Sequence, residues 1–158
     1  MSPAARETQA DQRLLTFEVA GSIYALPITG VLEVMEPAEV ASIPTLPRAV
    51  GGVINYHGDA LPVLLPCHVL GTPPAEPSAL GNVLVVTDRA TDSARLGLPI
   101  DRVLGLVAGM VSSGAGEDAV ADRRSIDGRV AHLIDPQRLV ARAKEVIGAS
   151  LGRGESSG

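Results

Sequence analysis

Apolar residues along this chain fall in short runs separated by Gly, Pro, Ser and Asp. Runs rich in Val, Ile and Leu between turn residues predict strands. In LLTFEVAGSIYALPI (14–28), Ala20–Gly21–Ser22 breaks one run into two and predicts a hairpin. VLEVME (31–36) alternates imperfectly, with Val31, Glu33 and Met35 on one side and Leu32, Val34 and Glu36 on the other. It reads as a strand, or as one helical turn feeding a strand, with Pro37 as its stop. SIPTLPRAV (42–50) carries Pro44 and Pro47 and is extended or turning. In GGVINYHGDALPVLLP (51–66), two apolar runs flank a polar tip where Gly58 can supply a positive φ. Pro62 has no N–H, so its strand is expected at an edge or a bulge. CHVLG (67–71) is one helical turn at most.

The same style returns in NVLVVTD (82–88), ARLGLPID (94–101), RVLGLVAG (102–109) and GRVAHLID (128–135), all predicted strands. SSGAGEDAVADRR (112–124) reads as a charged loop of small residues. Asp135–Pro136 opens a helix, Asp as N-cap and Pro at the first helical position. Leu139, Val140, Ala143, Val146 and Ile147 form its apolar stripe, and Gly148 is its expected end. The predicted class is therefore all-β, two groups of short strands with one C-terminal helix. The expected division is a flexible tail over 1–13, a first lobe over about 14–70, a Pro- and Gly-rich linker over 71–81, a second lobe over about 82–135, the helix over about 136–147 and a disordered tail over 148–158. No repeat of fixed period is evident in the sequence.

Composition narrows the functions. Among 158 residues the aromatic side chains are Phe17, Tyr24 and Tyr56, so the core must be aliphatic. The net charge of −5 argues against a nucleic-acid partner, which needs a basic surface. Between Leu14 and Pro66 the acids Glu18, Glu33, Glu36, Glu39 and Asp59 face one base, Arg48, so the first half is acidic. Such a surface suits solubility or a basic partner. Cys67 stands alone, which excludes an internal disulfide and fits a reducing cytoplasm. No run is apolar for the ~20 residues that span a bilayer, so no membrane insertion is expected.

Chemistry is poorly provided for. His57, His68, His132 and Cys67 show neither metal-ligand spacing nor a nucleophile–base signature. No phosphate-binding glycine loop is present. No catalytic residue, metal or cofactor is expected. The cluster Asn55, Tyr56, His57, Gly58 and Asp59 suits recognition better: Asn55 can bond its own backbone, and a Tyr at an exposed turn is a rigid interface anchor.

These residues carry a resemblance. FEVAGSIYALPITGVLEVME, then IPTLP, then GGVINYHGDALPVLLP resembles the CheW-like domain, the adaptor module of bacterial chemosensory arrays. The matches are Tyr24 to Ile28, Val31, Glu33, Val34, Ile43 to Pro47, Gly52 to Asn55, Gly58, Pro62 and Val63. Asp101 and Val103 match in LGLPIDRVLGLV, and GRVAHLIDPQRL resembles the family's final strand and helix start. The likeness covers Leu14 to about Ile147. It implies two small five-stranded, SH3-like β-barrels sharing a core. It also implies a non-enzymatic, cytoplasmic adaptor that couples the cytoplasmic tip of a methyl-accepting receptor to the regulatory domain of a CheA-type histidine kinase, with other CheW-like adaptors as further partners.

Two departures stand out. His57 occupies the place of the family's usual Arg, and Leu65, in Val63–Leu64–Leu65–Pro66, stands where a carboxylate is usual. A guanidinium is always charged and forked, whereas imidazole is mostly neutral at pH 7. The expectation is a divergent adaptor that has lost or altered one partner contact. Its expected contact residues are Glu33, Met35, Glu36, Asn55, Tyr56, His57, Gly58 and Asp59. A rival reading is a β-barrel sensor for a small ligand.

Overall fold

In the computed structural model, residues 13–41, 50–73, 80–88, 93–111, 116 and 118–156 are described. They form β1 (Arg13–Val19), β2 (Ser22–Pro27), a 3-10 turn (Ile28–Gly30), β3 (Val31–Glu39), β4 (Val50–Tyr56), β5 (Asp59–Leu64), α1 (Pro66–Val69), β6 (Leu80–Val86), β7 (Leu96–Ile100), β8 (Arg102–Ala108), β9 (Val120–Ile126), β10 (Arg129–Ile134) and α2 (Pro136–Ser156). The strands make two five-stranded sheets, one ordered β8-β1-β2-β10-β9 and the other β3-β6-β7-β5-β4.

The all-β class, with two small SH3-like units and a terminal helix, is as expected. The boundaries are not. The first sheet is built from both ends of the chain and the second from its middle, so a division into lobes at about 70 and 82 is wrong. The chain passes between sheets at Ile28–Gly30 and again at Asp101. There the Asp101 N–H donates to Glu18 O at 2.8 Å, and the Asp101 carboxylate accepts from Ala20 N–H at 2.9 Å, tying the β1–β2 turn to the crossing. Charged acceptors of this kind are among the stronger hydrogen bonds.

One core joins the sheets. Leu15, Phe17, Tyr24 and Leu26 from the first meet Leu64, Leu84, Val86, Leu96 and Leu98 from the second, with Leu139, Val140 and Ala143 of α2 laid against them. Burying a side chain such as Phe17 or Leu84 contributes about 1.5–3 kcal/mol. Each sheet also has a smaller aliphatic cluster of its own: Leu14, Ala25 and Leu133 in the first, and Ile54, Leu61, Val63, Val83 and Val85 in the second. Just past β3, Ala41 exchanges backbone hydrogen bonds of 2.8 and 2.9 Å with Val53 of β4, a single bridge between the two ends of the second sheet.

Other departures have local causes. Pro37 does not stop β3. The ladder with β6 shifts register between Met35 and Ala38, and that irregularity absorbs the residue without a donor. β5 is an inner strand despite Pro62. Its pairing with β7 is at Val63, beyond the proline, which leaves the Pro62 nitrogen without a ladder to break. Residues 120–124, expected in a loop, belong to β9, and Leu80 and Gly81, expected in the linker, belong to β6. α2 continues past Gly148 to Ser156, where a disordered tail was expected; a glycine inside a helix costs only about 1 kcal/mol. The expected tail at 1–12, the extended segment at 42–49, linker residues 74–79, loop residues 112–115 and 117, and 157–158 lie outside the described residues.

A repeat is also present, against expectation. Val50 pairs with Leu64 as Val120 pairs with Ile134, and Tyr56 pairs with Asp59 as Ile126 pairs with Arg129. Each position of the β4–β5 hairpin thus returns 70 residues later (50 to 120, 64 to 134), with the ladder irregularity at the same place. Both hairpins lead into a helix with Pro at its first position, Pro66 and Pro136. Leu26–Pro27–Ile28 and Val31–Leu32 return as Leu98–Pro99–Ile100 and Val103–Leu104. Both Leu32 and Leu104 sit where an edge strand's ladder slips, and they are 38% and 40% exposed.

Candidate functional site

The β4–β5 turn is a two-residue hairpin with positive φ at both positions, 50° at His57 and 89° at Gly58. That is the pattern of a type I′ turn, whose twist matches its strands. Asn55 Oδ1 accepts the Gly58 N–H at 2.8 Å, the self-bonding foreseen for it. Asn55, His57, Gly58 and Asp59 are exposed. Tyr56 differs from expectation. It is half-buried against the Ile54–Val63 cluster and meets the His57 ring edge-on at a centroid distance of 4.3 Å. The alternation of side chains along β4 turns Tyr56 inward with Ile54, so it supports the tip more than it presents a free ring.

β3 lies across the closing bridge from this hairpin. Register slips between Val31 and Glu33, which explains the imperfect alternation of VLEVME. Val34 packs into the shared core, Leu32 and Glu33 are exposed, and Met35 is half-buried against the smaller cluster. The side chain of Glu36 lies outside what is described. Between β3 and the hairpin is a concavity of about 440 Å³ that gathers Met35, Ala41, Val53, Ile54, Asn55, Gly58, Asp59 and Ala60. Four of the expected contact residues, Met35, Asn55, Gly58 and Asp59, therefore meet around one open hollow. Glu33, Tyr56 and His57 are not part of its lining.

The pattern reading placed β8 as a strand but counted none of its residues as contacts, and this edge strand exposes Leu104 and Leu106 (55%). The same reading missed β9, whose signal was Asp127–Gly128 after Ile126. These two residues have φ values of 52° and 78° and make a second turn of the same kind. His132 is half-buried, its ring tilted against that of Tyr24 at a centroid distance of 5.0 Å. Burial, with Arg123 across the ladder, holds its pKa below the ordinary imidazole value, and burial raises that of Tyr24. A second hollow, of about 340 Å³, holds Cys67, His68, Asp118, Arg142 and Glu145. Among the described residues no group of His, Cys, Asp and Glu is placed to hold a metal ion, and no helix is long and apolar enough to cross a membrane.

The family model of the CheW-like domain matches residues 13–144. The chain belongs to this family. The matched span runs from β1 into α2, so both sheets and the concavity fall within it. The CheW-like chain is 26% identical to the chemotaxis protein CheW of Treponema pallidum (strain Nichols) over 100 residues, which are 61% of this chain and 57% of that protein. It thus spans little more than half the length of that relative. Among solved structures it is similar to the scaffolding protein TtCheW from Thermoanaerobacter tengcongensis, with a TM-score of 0.63 and 22% identity over 79% of this chain and 89% of that one. The second likeness is one of fold.

Proposed function

We propose that this CheW-like scaffold domain couples the cytoplasmic tip of a methyl-accepting receptor to the regulatory domain of a CheA-type histidine kinase, acting by holding partners and not by catalysis. The observation that carries the reading is the concavity at the β4–β5 hairpin, where Met35, Asn55, Gly58 and Asp59 surround an apolar floor. Exposed apolar residues on the edge strands, Leu32 on β3 of one sheet and Leu104 and Leu106 on β8 of the other, offer further apolar surface for a second partner. A sensor barrel is disfavoured, because each sheet packs a buried aliphatic cluster of its own without convergent polar groups.

The test is a pair of binding titrations, against the purified kinase regulatory domain and against the receptor's cytoplasmic hairpin, each repeated with His57→Arg. Binding of both partners is expected. If His57→Arg strengthens kinase binding and leaves receptor binding unchanged, the turn is where this chain has diverged. Failure of wild type to bind either partner refutes the coupling role.

A further inference from the structure

We propose that the concavity between β3 and the β4–β5 hairpin receives a cationic side chain on an apolar stem, an arginine in the first instance, from the docked protein partner. The inference rests on reading that concavity as a docking surface. It comes from the internal repeat.

The fold builds this hairpin twice on one backbone plan, and the two builds carry different side chains at matching positions. Val53 and Ile54 of β4 correspond to Arg123 and Arg124 of β9, and Asp59 corresponds to Arg129. The plan therefore accepts long charged residues where β4 has aliphatic ones; Ile54 belongs to the sheet's own buried cluster, whereas half-buried Val53 and exposed Ala60 leave apolar lining open to a partner. The second build also shows how an arginine sits on this frame. The Arg124 guanidinium lies against Gly109, just past the edge strand β8, and Leu14 Cδ1 is 3.2 Å from where a Gly109 side chain would begin. At the matching place in the β4–β5 sheet the chain supplies only Ile54, and there the hollow of about 440 Å³ opens.

Its chemistry suits the side chain that is missing. Met35, Val53 and Ala60 offer an apolar bed for methylene groups, and the thioether of Met35 adapts its shape to what lies on it. At the rim, Asp59 is exposed, and its carboxylate has no hydrogen bond or ion pair among the described residues. Asn55 Oδ1 already accepts the Gly58 N–H, and Asp59 is the charged acceptor of the rim. A guanidinium presents a planar fork to a carboxylate, which a lysine ammonium does not.

The proposal is tested on the full chain, labelled with 15N, by titrating capped tripeptides Leu-Arg-Leu, Leu-citrulline-Leu and Leu-Glu-Leu. Citrulline keeps the shape of arginine without its charge. The arginine peptide is expected to shift the amides of Met35, Asn55, Gly58 and Asp59 with a Kd of about 1–10 mM, the citrulline peptide to do so about two- to fivefold more weakly, and the glutamate peptide to give no shift. Asp59→Asn should weaken the arginine peptide about two- to fivefold, the range for an exposed ion pair. Ala60→Trp, which fills the hollow from an exposed position, should abolish the shifts. Equal shifts from citrulline, no shift from arginine, or indifference to Asp59→Asn would each overturn the proposal. The peptides do not depend on the receptor or kinase. Arginine binding in a chain that binds neither partner would uphold this inference and remove the coupling role.

Discussion

Replacing Gly52 by alanine tests how the hairpin is held. Gly52 has φ of +155°, and a Cβ there would stand 2.5 Å from Ala41 O and 2.7 Å from Val40 Cγ1. Neither neighbour is the free end of a long side chain, so the backbone of Ala41 must retreat. That breaks its paired bonds to Val53, 2.8 and 2.9 Å long. Two backbone hydrogen bonds are worth about 0.5–1.5 kcal/mol each. Holding alanine at this φ costs roughly a further 1–3 kcal/mol. The expected loss is about 2–6 kcal/mol, a large share of the roughly 5–15 kcal/mol that stabilises a domain.

Two other glycines serve as controls. Gly58, with φ of +89° and open space around it, should lose about 1 kcal/mol as alanine, the backbone part alone. Gly105, in β8 with no positive φ and nothing within 4 Å, should change little. Urea unfolding gives the three stabilities, and amide exchange at Ala41 and Val53 reports the bridge itself. If Gly52→Ala costs no more than Gly58→Ala, or leaves both amides protected, the close approach does not hold the hairpin.

Two further outcomes follow from other sites. Asp135→Ala should lower stability by about 1–2 kcal/mol in a thermal melt, because Asp135 Oδ1 accepts from Gln137 N at 2.9 Å at the start of α2; Asp135→Asn should recover most of it. As pH falls past the ordinary histidine range, the unfolded chain takes up a proton before His132 does, since burial and Arg123 lower its folded pKa. Stability should therefore be flat above about pH 6.5 and decline as pH drops through the lowered value; urea unfolding of His132→Gln across that window should show a shallower slope.

Strand existence was legible wherever an apolar run stood between turn residues, as in both halves of the β1–β2 hairpin. β9 was hidden because an exposed edge strand needs little apolar content. Its Asp122, Arg123 and Arg124 look like a loop, and only Asp127–Gly128 marks the turn. Topology was not legible, because nothing local to β2 says that its neighbour β10 lies more than a hundred residues away. The site was legible in part. Turn chemistry marks Asn55, Gly58 and Asp59 directly, whereas the contribution of Met35 depends on the bridge from Ala41 to Val53. The repeat escaped because the twin hairpins share register and not side chains.

The order in which the chain is made has a consequence for its folding. β1 and β2 leave the ribosome first, yet their neighbours in the sheet, β8 and β10, are among the last strands made. A lone two-stranded hairpin is marginal in water, so this pair must wait, with Phe17 and Tyr24 uncovered. The middle strands, β3 to β7, are contiguous and can pair as they emerge. Closing the outer sheet joins segments far apart in sequence, a slow step. The nascent chain therefore passes through a stage in which its central sheet can be complete while its earliest strands still seek partners, and that is when it is most open to aggregation or to capture by a chaperone.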